Sequence, residues 1–241
     1  MRHFYARQEG GAPKSERSVG EQGGVLNINK PVGWTSFEAV QLVRMRLGTR
    51  RVGHSGTLDP FAEGVLLVCV GSATKRVSEL MGLPKVYVGI MELGVETDTL
   101  DVTGRILKRT PVTPRSTRGQ LAEVMNLLVG DIAQVPPMYS AVKVGGKRLY
   151  ELARRGQVAP RKSRTVTVYR FEPVRVESPF VEFVVECSKG TYVRSLAAEL
   201  GSRLGCGATL KRLQRVRIGP FLIEEAVSLD RVTHAHLQPL A

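Results

Sequence analysis

One carboxylate stands out by its neighbours in residues 51–61, which read RVGHSGTLDPF. Asp59 precedes Pro60, and a proline disfavours helical backbone at the residue before it and favours an extended one. Gly53 and Gly56 would let the loop come close to a ligand. A carboxylate held at one angle suits nucleophilic or general-base chemistry. The same letters also describe a turn aspartate that satisfies its own backbone amides, and composition alone favours that simpler interpretation.

Positive charge is concentrated in three parts of the chain. The protein has 241 residues and a net charge of +13, yet residues 1–22 hold four Lys or Arg and three Glu. Residues 27–85, 143–164 and 189–217 are each rich in Lys and Arg and poor in acids. Such densities predict contacts with phosphates, most clearly for residues 143–164, which hold eight basic residues and one acid. A generally basic surface remains the alternative for any single arginine.

A few further side chains are candidates for a site. Tyr87 and Tyr192 can stack on a base, although a core tyrosine with a bonded hydroxyl is the more common case. His54 can pair with a phosphate or a base, but a single loop histidine is usually incidental. His234 and His236 form an H-x-H pair without a third ligand, so no metal site is expected. The chain also lacks a phosphate-binding P-loop and a dinucleotide-binding fingerprint.

The helices and strands that the sequence predicts around these residues indicate an α/β (α+β) fold, with a mixed, largely antiparallel central sheet and flanking helices. A helix over 35–48 is indicated by a capping box of Thr35 and Glu38 and by the spacing of Phe37, Val40, Val43 and Leu47. Further helices are predicted over 74–82, 116–129 and 192–204. Strands are predicted for GVLNINKP, GVLLVCVG, KVYVGIMELG, TVTVYRFEPVRV, FVEFVVECSKG and residues 210–217, with a hairpin at Ser178-Pro179 and a turn-rich loop at VETDTLDVTG.

The domain organisation follows from composition along the chain. Residues 1–22 are rich in Gly, Ser, Glu and Arg without periodicity, which predicts a disordered N-terminal extension. Residues 23–241 show no linker and predict a single domain. Within it, residues 143–164 are polar and basic, which indicates an exposed excursion from the core.

Bulk composition indicates a protein of the cytoplasm. Hydrophobic content of 42% and charged content of 24% are ordinary for a soluble globular protein, and no apolar run is long enough for a membrane span. The three cysteines, Cys69, Cys187 and Cys206, are far apart and no pair has zinc-ligand spacing, while their odd number argues against a disulfide framework. The N-terminus has no secretory signal.

Four long blocks carry a resemblance to a known family. They are NKPVGWTS at 29–36, GHSGTLDPFAEGVLLVCVGSATK at 53–75, VPPMYSAVKVGGKRLYELARRG at 135–156 and CSKGTYVRSLAAELG at 187–201. In this order they closely resemble the bacterial TruB-type tRNA pseudouridine synthases, over about residues 24–230. Four such blocks are far more specific than any short motif.

The resemblance implies a reaction and a nucleophile. Members of the family isomerise the T-loop uridine of tRNA to pseudouridine without a cofactor or a metal. The target base is flipped out of the loop, as enzymes that do chemistry on a base require. The aspartate of the G-T-L-D-P block is the family's nucleophile and falls on Asp59, which attacks either C6 of the base or C1′ of the sugar.

The same match assigns partners to Asp59. Tyr87 is expected to stack on the target uracil, and Arg194 to pair with Asp59 and favour its ionised form. The substrate-binding positions implied are His54, Tyr192, Leu213, Lys30 and Lys75.

The match also implies how the RNA is held. Residues 143–164 correspond to a mobile segment that becomes ordered when it clamps the T loop. Many members continue into a small C-terminal RNA-binding domain of PUA type, and too few residues follow the matched region here to form one. We therefore expect weaker or differently placed tRNA binding, by a monomer that requires no protein partner and no membrane.

Two alternatives stay open at this point. One is a non-catalytic RNA-binding protein on the same fold, although such a protein would not need Asp59, Tyr87 and Arg194 together. The other is an enzyme of the family that acts on another RNA, such as the guide-directed members that work in protein complexes.

Overall fold

The computed structural model describes residues 23–112 and 118–240, so the predicted extension at residues 1–22 lies outside the described residues. The strands within these ranges are β1 (Gly24–Lys30), β2 (Val52–His54), β3 (Glu63–Val70), β4 (Lys85–Leu93), β5 (Val95–Thr97), β6 (Ile106–Arg109), β7 (Gly130–Gln134), β8 (Lys143–Val144), β9 (Lys147–Arg148), β10 (Arg164–Glu177), β11 (Phe180–Cys187), β12 (Ala208–Ile218), β13 (Phe221–Leu222) and β14 (Val227–Ser228). The α-helices are α1 (Ser36–Arg46), α2 (Val77–Gly82), α3 (Arg118–Asn126), α4 (Leu149–Arg154) and α5 (Val193–Arg203). Short 3₁₀ helices cover Gly71–Arg76, Ile223–Glu225, Leu229–Arg231 and His234–His236.

A large mixed sheet organises these elements. Its strand order is β14-β1-β3-β12-β4-β11-β10-β7, with β2 added to β3 and β13 added to β12. The β1–β14 and β3–β12 pairs are parallel, and the other pairs of this sheet are antiparallel. Two-stranded ribbons, β5–β6 and β8–β9, complete the described strands. The predicted mixed, largely antiparallel sheet is therefore confirmed.

The first helix shows the predicted cap and one wrong prediction. The amide of Glu38 donates to Thr35 Oγ1 at 3.1 Å, and the amide of Thr35 donates to Glu38 Oε2 at 2.7 Å, so the capping box is present. Val40 and Val43 are buried as the spacing predicts. Phe37 is 59% exposed, so its placement on the buried stripe was wrong.

Other segments contain more secondary-structure elements than the sequence predicts. The helix predicted over 74–82 begins as a 3₁₀ helix and becomes α-helical only at Val77. Residues 143–164, predicted as an excursion, contain β8, β9 and α4. Strand β7 was not predicted at all, yet it pairs with the first residues of β10. The predicted β10–β11 hairpin is present.

The largest core lies between the sheet and helices α3 and α5. Leu121 and Met125 of α3, together with Leu196 and Leu200 of α5, are buried against strands β4, β10, β11 and β12. Phe183 of β11 is buried in the same cluster. Burial of this apolar area stabilises the fold and fixes α5 relative to the sheet. Within residues 23–112 and 118–240, no helix is long and apolar enough to cross a membrane.

Candidate active site

The loop between β2 and β3, residues 55–62, carries the candidate carboxylate and is held from several sides. The Ser36 hydroxyl at the start of α1 donates to the Leu58 carbonyl at 3.1 Å and accepts from the Leu58 amide at 2.9 Å. The Gly33 amide donates to the Pro60 carbonyl at 2.7 Å. The first helix and the segment before it therefore fix the backbone of this loop.

Lys30 reinforces the same loop from inside the protein. Its side chain is fully buried, and Nζ donates to the carbonyls of Pro31, Trp34 and Ala62 at 2.9, 2.8 and 2.7 Å. Burial, and then the nearby Arg215, lower the pKa of Lys30 to about 8. The three ammonium hydrogens are used within the protein, so none is left for a phosphate of a bound RNA.

Arg215 of β12 supports the loop from the opposite side. It is 1% exposed, and it donates to the carbonyls of Val65, Thr57 and Gly56 at 2.7, 3.3 and 3.4 Å. Its guanidinium also lies 6.0 Å from the centre of the Tyr87 ring. Burial raises the pKa of the Tyr87 phenol, and Arg215 opposes this rise. One buried cation thus contacts both the loop and the aromatic wall beside it.

The predicted ion pair between Asp59 and Arg194 is confirmed. Arg194 Nε lies 2.8 Å from Asp59 Oδ2, and the side chains are 3% and 32% exposed respectively. The Nε–H is not aligned as a hydrogen bond to that oxygen, so the contact is chiefly electrostatic. Although a third of its side chain is accessible, Asp59 lies in the lining of a cavity. Burial there raises its pKa, and the Arg194 cation opposes the rise.

Arg194 has further fixed partners. Its terminal nitrogens donate to the Thr99 and Tyr139 carbonyls, both at 2.9 Å, and Asp101 Oδ2 lies 3.6 Å away. Asp101 is 4% exposed and accepts from the Thr103 amide at 2.9 Å. The arginine therefore lies between two carboxylates, of which the sequence reasoning found only Asp59.

The loop that supplies Asp101 is built by local hydrogen bonds. The Thr99 and Thr103 hydroxyls, two residues to either side, both donate to Asp101 Oδ1. Leu100 has a φ of 64°, which is rare for a residue other than glycine. Within VETDTLDVTG, the T-x-D-x-T spacing was the available sequence signal, but it was interpreted only as a turn.

Asp59, Arg194 and Arg215 line a cavity of about 280 Å³. Tyr87 and Leu213 are buried in its wall, 8% and 4% exposed, and Met81 adds an apolar side chain. Of the eight predicted site residues, six line the cavity: His54, Asp59, Tyr87, Tyr192, Arg194 and Leu213. Lys30 is buried beneath the loop, and Lys75 is exposed on the 3₁₀ helix, so neither is in the lining.

His54 and Lys85, which also line the cavity, have lowered pKa values. Burial, followed by the charge of Arg215, lowers the pKa of His54 and favours the neutral imidazole. Lys85 also lines the cavity and donates to the carbonyls of Met81 and Leu83, both at 2.5 Å. Burial lowers the pKa of Lys85 to about 8. Lys85 appeared in the sequence only as one of many basic residues.

The residues that the structure describes offer no metal site. In the described ranges there is no cluster of three His, Cys, Asp or Glu side chains. The predicted H-x-H pair lies apart from the cavity, and His236 Nδ1 accepts from the Thr233 amide at 3.2 Å. Cys69, Cys187 and Cys206 are free thiols.

Family models match the chain on either side of Val193. Residues 44–193 match the model described as TruB family pseudouridylate synthase (N terminal domain). Residues 194–239 match the model described as tRNA pseudouridylate synthase B C-terminal domain. The boundary between the two matches falls within α5, immediately before Arg194.

Curated relatives agree over most of the chain. It is 46% identical over 207 residues to tRNA pseudouridine synthase B of Clostridium kluyveri, covering 86% of this chain and 71% of that protein. It is 47% identical over 210 residues to the protein of the same name from Clostridium novyi, covering 87% and 72%. The relative from Syntrophobacter fumaroxidans is 49% identical over 213 residues, covering 88% and 69%.

Solved structures with the same fold come from larger chains. A chain of a Cbf5-Nop10-Gar1 complex has a TM-score of 0.70 and 32% identity, covering 93% of this chain and 61% of that one. A chain of an H/ACA RNP bound to a substrate RNA containing 2'-deoxyuridine has a TM-score of 0.65 and 31% identity, covering 88% and 53%. The chain thus spans between half and two thirds of the length of these structural neighbours.

Proposed function

Because the chain belongs to the TruB family of pseudouridylate synthases, we propose that it converts the T-loop uridine of tRNA to pseudouridine, with Asp59 as the nucleophile. The Asp59–Arg194 ion pair in the lining of the cavity is the observation that carries this proposal. The volume of about 280 Å³ is small for a ligand site and suits one flipped nucleotide rather than paired RNA.

The ion pair supplies a carboxylate that can react. Burial alone would favour the neutral acid, while a cation at 2.8 Å favours the anion. A carboxylate oxygen of Asp59 adds either to C6 of the uracil or to C1′ of the ribose. In both cases the N1–C1′ bond breaks, the uracil turns, C5 bonds to C1′, and the bond to Asp59 breaks to release the carboxylate. C5 loses a proton and N1 gains one, so the product is an isomer and no co-reactant is consumed.

The walls hold the base while it turns. Tyr87 presents an aromatic ring for stacking, and Leu213 provides an apolar contact from the neighbouring strand β12. His54, favoured in its neutral form, and Tyr192 supply polar contacts to the flipped nucleotide. In this proposal Lys30 positions the loop of Asp59, since its donors are bound to carbonyls, whereas Lys75 remains available to a phosphate.

Residues 143–164 provide the grip on the T stem-loop. The segment lies at the surface and includes exposed Lys143, Lys147 and Arg148, and its backbone is tied to the base of the site. The Tyr150 amide donates to the Ser140 carbonyl at 3.1 Å, and Ser140 lines the cavity. Closure of this segment over an RNA loop would bring phosphates against its basic side chains.

The setting proposed is a monomer in the cytoplasm that needs no protein partner. The free thiols of the chain suit a reducing compartment. The structural neighbours solved as complexes favour a second candidate, a guide-directed synthase that works with partner proteins. Activity of the purified chain on an isolated T stem-loop supports the first candidate, and activity that appears only with added guide RNA and proteins supports the second.

The nucleophile is tested with an unmodified T stem-loop RNA and chemical labelling of pseudouridine. Asp59→Asn and Asp59→Ala should abolish product formation while the RNA dissociation constant changes little. Asp230→Asn, an exposed carboxylate outside the cavity, is the matched control and should retain wild-type activity. Product formation by Asp59→Ala at the wild-type rate would refute the assignment. Absence of product from concentrated wild-type enzyme would favour a protein that only binds RNA.

A further inference from the structure

Gln134, the last residue of β7, has no part in the function described above. We propose that it is a positioning residue: its side-chain amide fixes the backbone at the start of α5 and thereby the direction of Arg194 toward Asp59. The inference rests on the proposed function for its effect on rate, but its structural core is independent of it. The following contacts carry it.

The amide of Gln134 binds both polar backbone groups of a single residue. Its Oε1 accepts from the Tyr192 amide at 2.7 Å, and its Nε2 donates to the Tyr192 carbonyl at 3.1 Å. The side chain is 7% exposed. Two opposed hydrogen bonds to one residue are what neighbouring antiparallel strands exchange. They restrain both the position and the rotation of that peptide unit, which a single bond would not.

Tyr192 is the residue immediately before α5, and its carbonyl also accepts from the Leu196 amide at 3.2 Å. Arg194 follows two residues later, in the first turn. Its terminal nitrogens donate to the Thr99 and Tyr139 carbonyls. The position of Nε is therefore set at one end of the side chain by the helix backbone and at the other end by these two carbonyls. Displacement of the backbone at Tyr192 would therefore change the approach of Nε to Asp59.

The position of Gln134 also connects this helix to the basic excursion. Gln134 pairs with Arg164, the first residue of β10, so the two strands meet at the point where the intervening chain leaves and returns. Residues 143–163 lie within that intervening chain. Gln134 thus joins the base of the excursion to the residue that precedes α5, and we expect its loss to affect the chemical step more than RNA binding.

The first test separates catalysis from binding and from stability. Gln134→Met keeps the approximate volume but removes both hydrogen bonds. We expect kcat to fall about 10- to 100-fold, as for a small displacement of catalytic groups, while the RNA dissociation constant, to which phosphate contacts contribute most, changes less than about twofold. Asn27→Leu is the matched control: Asn27 is 2% exposed and its amide donates to the Leu222 carbonyl at 2.8 Å, outside the cavity. This variant should lose stability but keep kcat.

The second test restores the geometry by protonation. In Gln134→Glu, a neutral carboxyl group offers one O–H donor and one carbonyl acceptor, as the amide does, whereas the carboxylate has no donor for the Tyr192 carbonyl. The ratio of variant to wild-type kcat should therefore rise as pH falls. The charged or titratable groups near this position are Arg164 across the strands, the Tyr192 phenol, and the Asp59–Arg194 pair. Titration of groups common to both proteins cancels in the ratio at each pH as far as it is not coupled to residue 134.

Hydrogen exchange distinguishes failure of this inference from failure of the proposed function. Backbone amides at 192–196 should exchange faster in Gln134→Met than in the wild type, whether or not either protein makes pseudouridine. Wild-type kcat in Gln134→Met, together with unchanged exchange at these amides, would overturn the inference. So would a Gln134→Glu ratio that stays flat with pH. A wild-type protein that forms no product would overturn the proposed function, while faster exchange in the variant would still support the positioning.

Discussion

Replacement of the buried Lys30 by methionine should destabilise the protein, and the loss should grow with pH. The pKa of Lys30 is lowered from 10.5 to about 8, so the folded state disfavours its charge. The cost is present in full below pH 8 and disappears as pH rises toward 10.5. From these two pKa values, it falls by about 2.5 kcal/mol between pH 7 and pH 10. Lys30→Met lacks this cost at every pH but leaves three carbonyls without their donor.

Two opposing effects thus set the outcome at neutral pH. Loss of the donor costs about 1 kcal/mol or more for each of the three carbonyls. Removal of the buried charge largely offsets this cost, so the net loss of stability at pH 7 is small. At pH 10 the Lys30 side chain of the wild type is largely a neutral amine, which keeps two of the three donors and carries less of the charge cost. The destabilisation by the variant should then be larger by up to about 2.5 kcal/mol.

Urea unfolding of wild type and variant at pH 7, 8, 9 and 10 measures this difference. Groups common to both proteins, including Lys85, cancel in the difference as far as they are not coupled to Lys30. Lys75→Met, at an exposed lysine, is the control and should stay within about 0.5 kcal/mol of wild type at every pH. A Lys30→Met effect that is constant from pH 7 to pH 10 would show that Lys30 is not buried as a cation, and the reasoning would be refuted.

Two further predictions concern the cavity and the sheet beneath it. Asp101→Asn removes a negative charge that raises the pKa of Asp59. The acidic limb of the pH profile of kcat/KM should therefore move to lower pH, and an unchanged limb would show that Asp101 does not act on Asp59. Gly64→Ala should cost several kcal/mol, on the order of 3 or more, because φ is 108° and an added Cβ would lie 2.3 Å from the Arg215 carbonyl oxygen. Gly53→Ala, where nothing lies within 4 Å, is its control, and equal urea midpoints for both variants would contradict the steric argument.

Local patterns in the sequence were sufficient to predict most strands of the sheet and the first helix. The capping box of Thr35 and Glu38 depends on residues three apart, so the structure reproduces it directly. The prediction that Phe37 is buried was wrong because helical spacing identifies an apolar stripe but not which edge of that stripe packs against the sheet. Strand β7 was missed since its five residues, GDIAQ, include Gly130 and Asp131, which rarely favour a strand, and its stability comes from pairing with β10.

The candidate site was recovered where the family blocks contained it. Asp59 and Arg194 lie in these blocks and Tyr87 lies between two of them, and the structure brings all three to one cavity. Asp101 and Gln134 were not recognised, because their importance depends on long-range contacts with Arg194 and Tyr192 rather than on neighbouring letters. Lys30 was matched to a substrate-binding position, but it lies outside the lining of the cavity, and its Nζ donates to three carbonyls of the protein itself.

The place of β12 in the sheet has a consequence for how the protein is made. This strand pairs with β3 on one side and β4 on the other, and so unites the part that carries Asp59 with the part that carries Tyr87 and Arg194. Its residues are synthesised after all of those side chains. During translation, therefore, the active site cannot assemble until residues 208–218 have left the ribosome. The order of synthesis delays the reactive pocket until nearly the whole described chain is present, and makes folding depend on contacts distant in sequence.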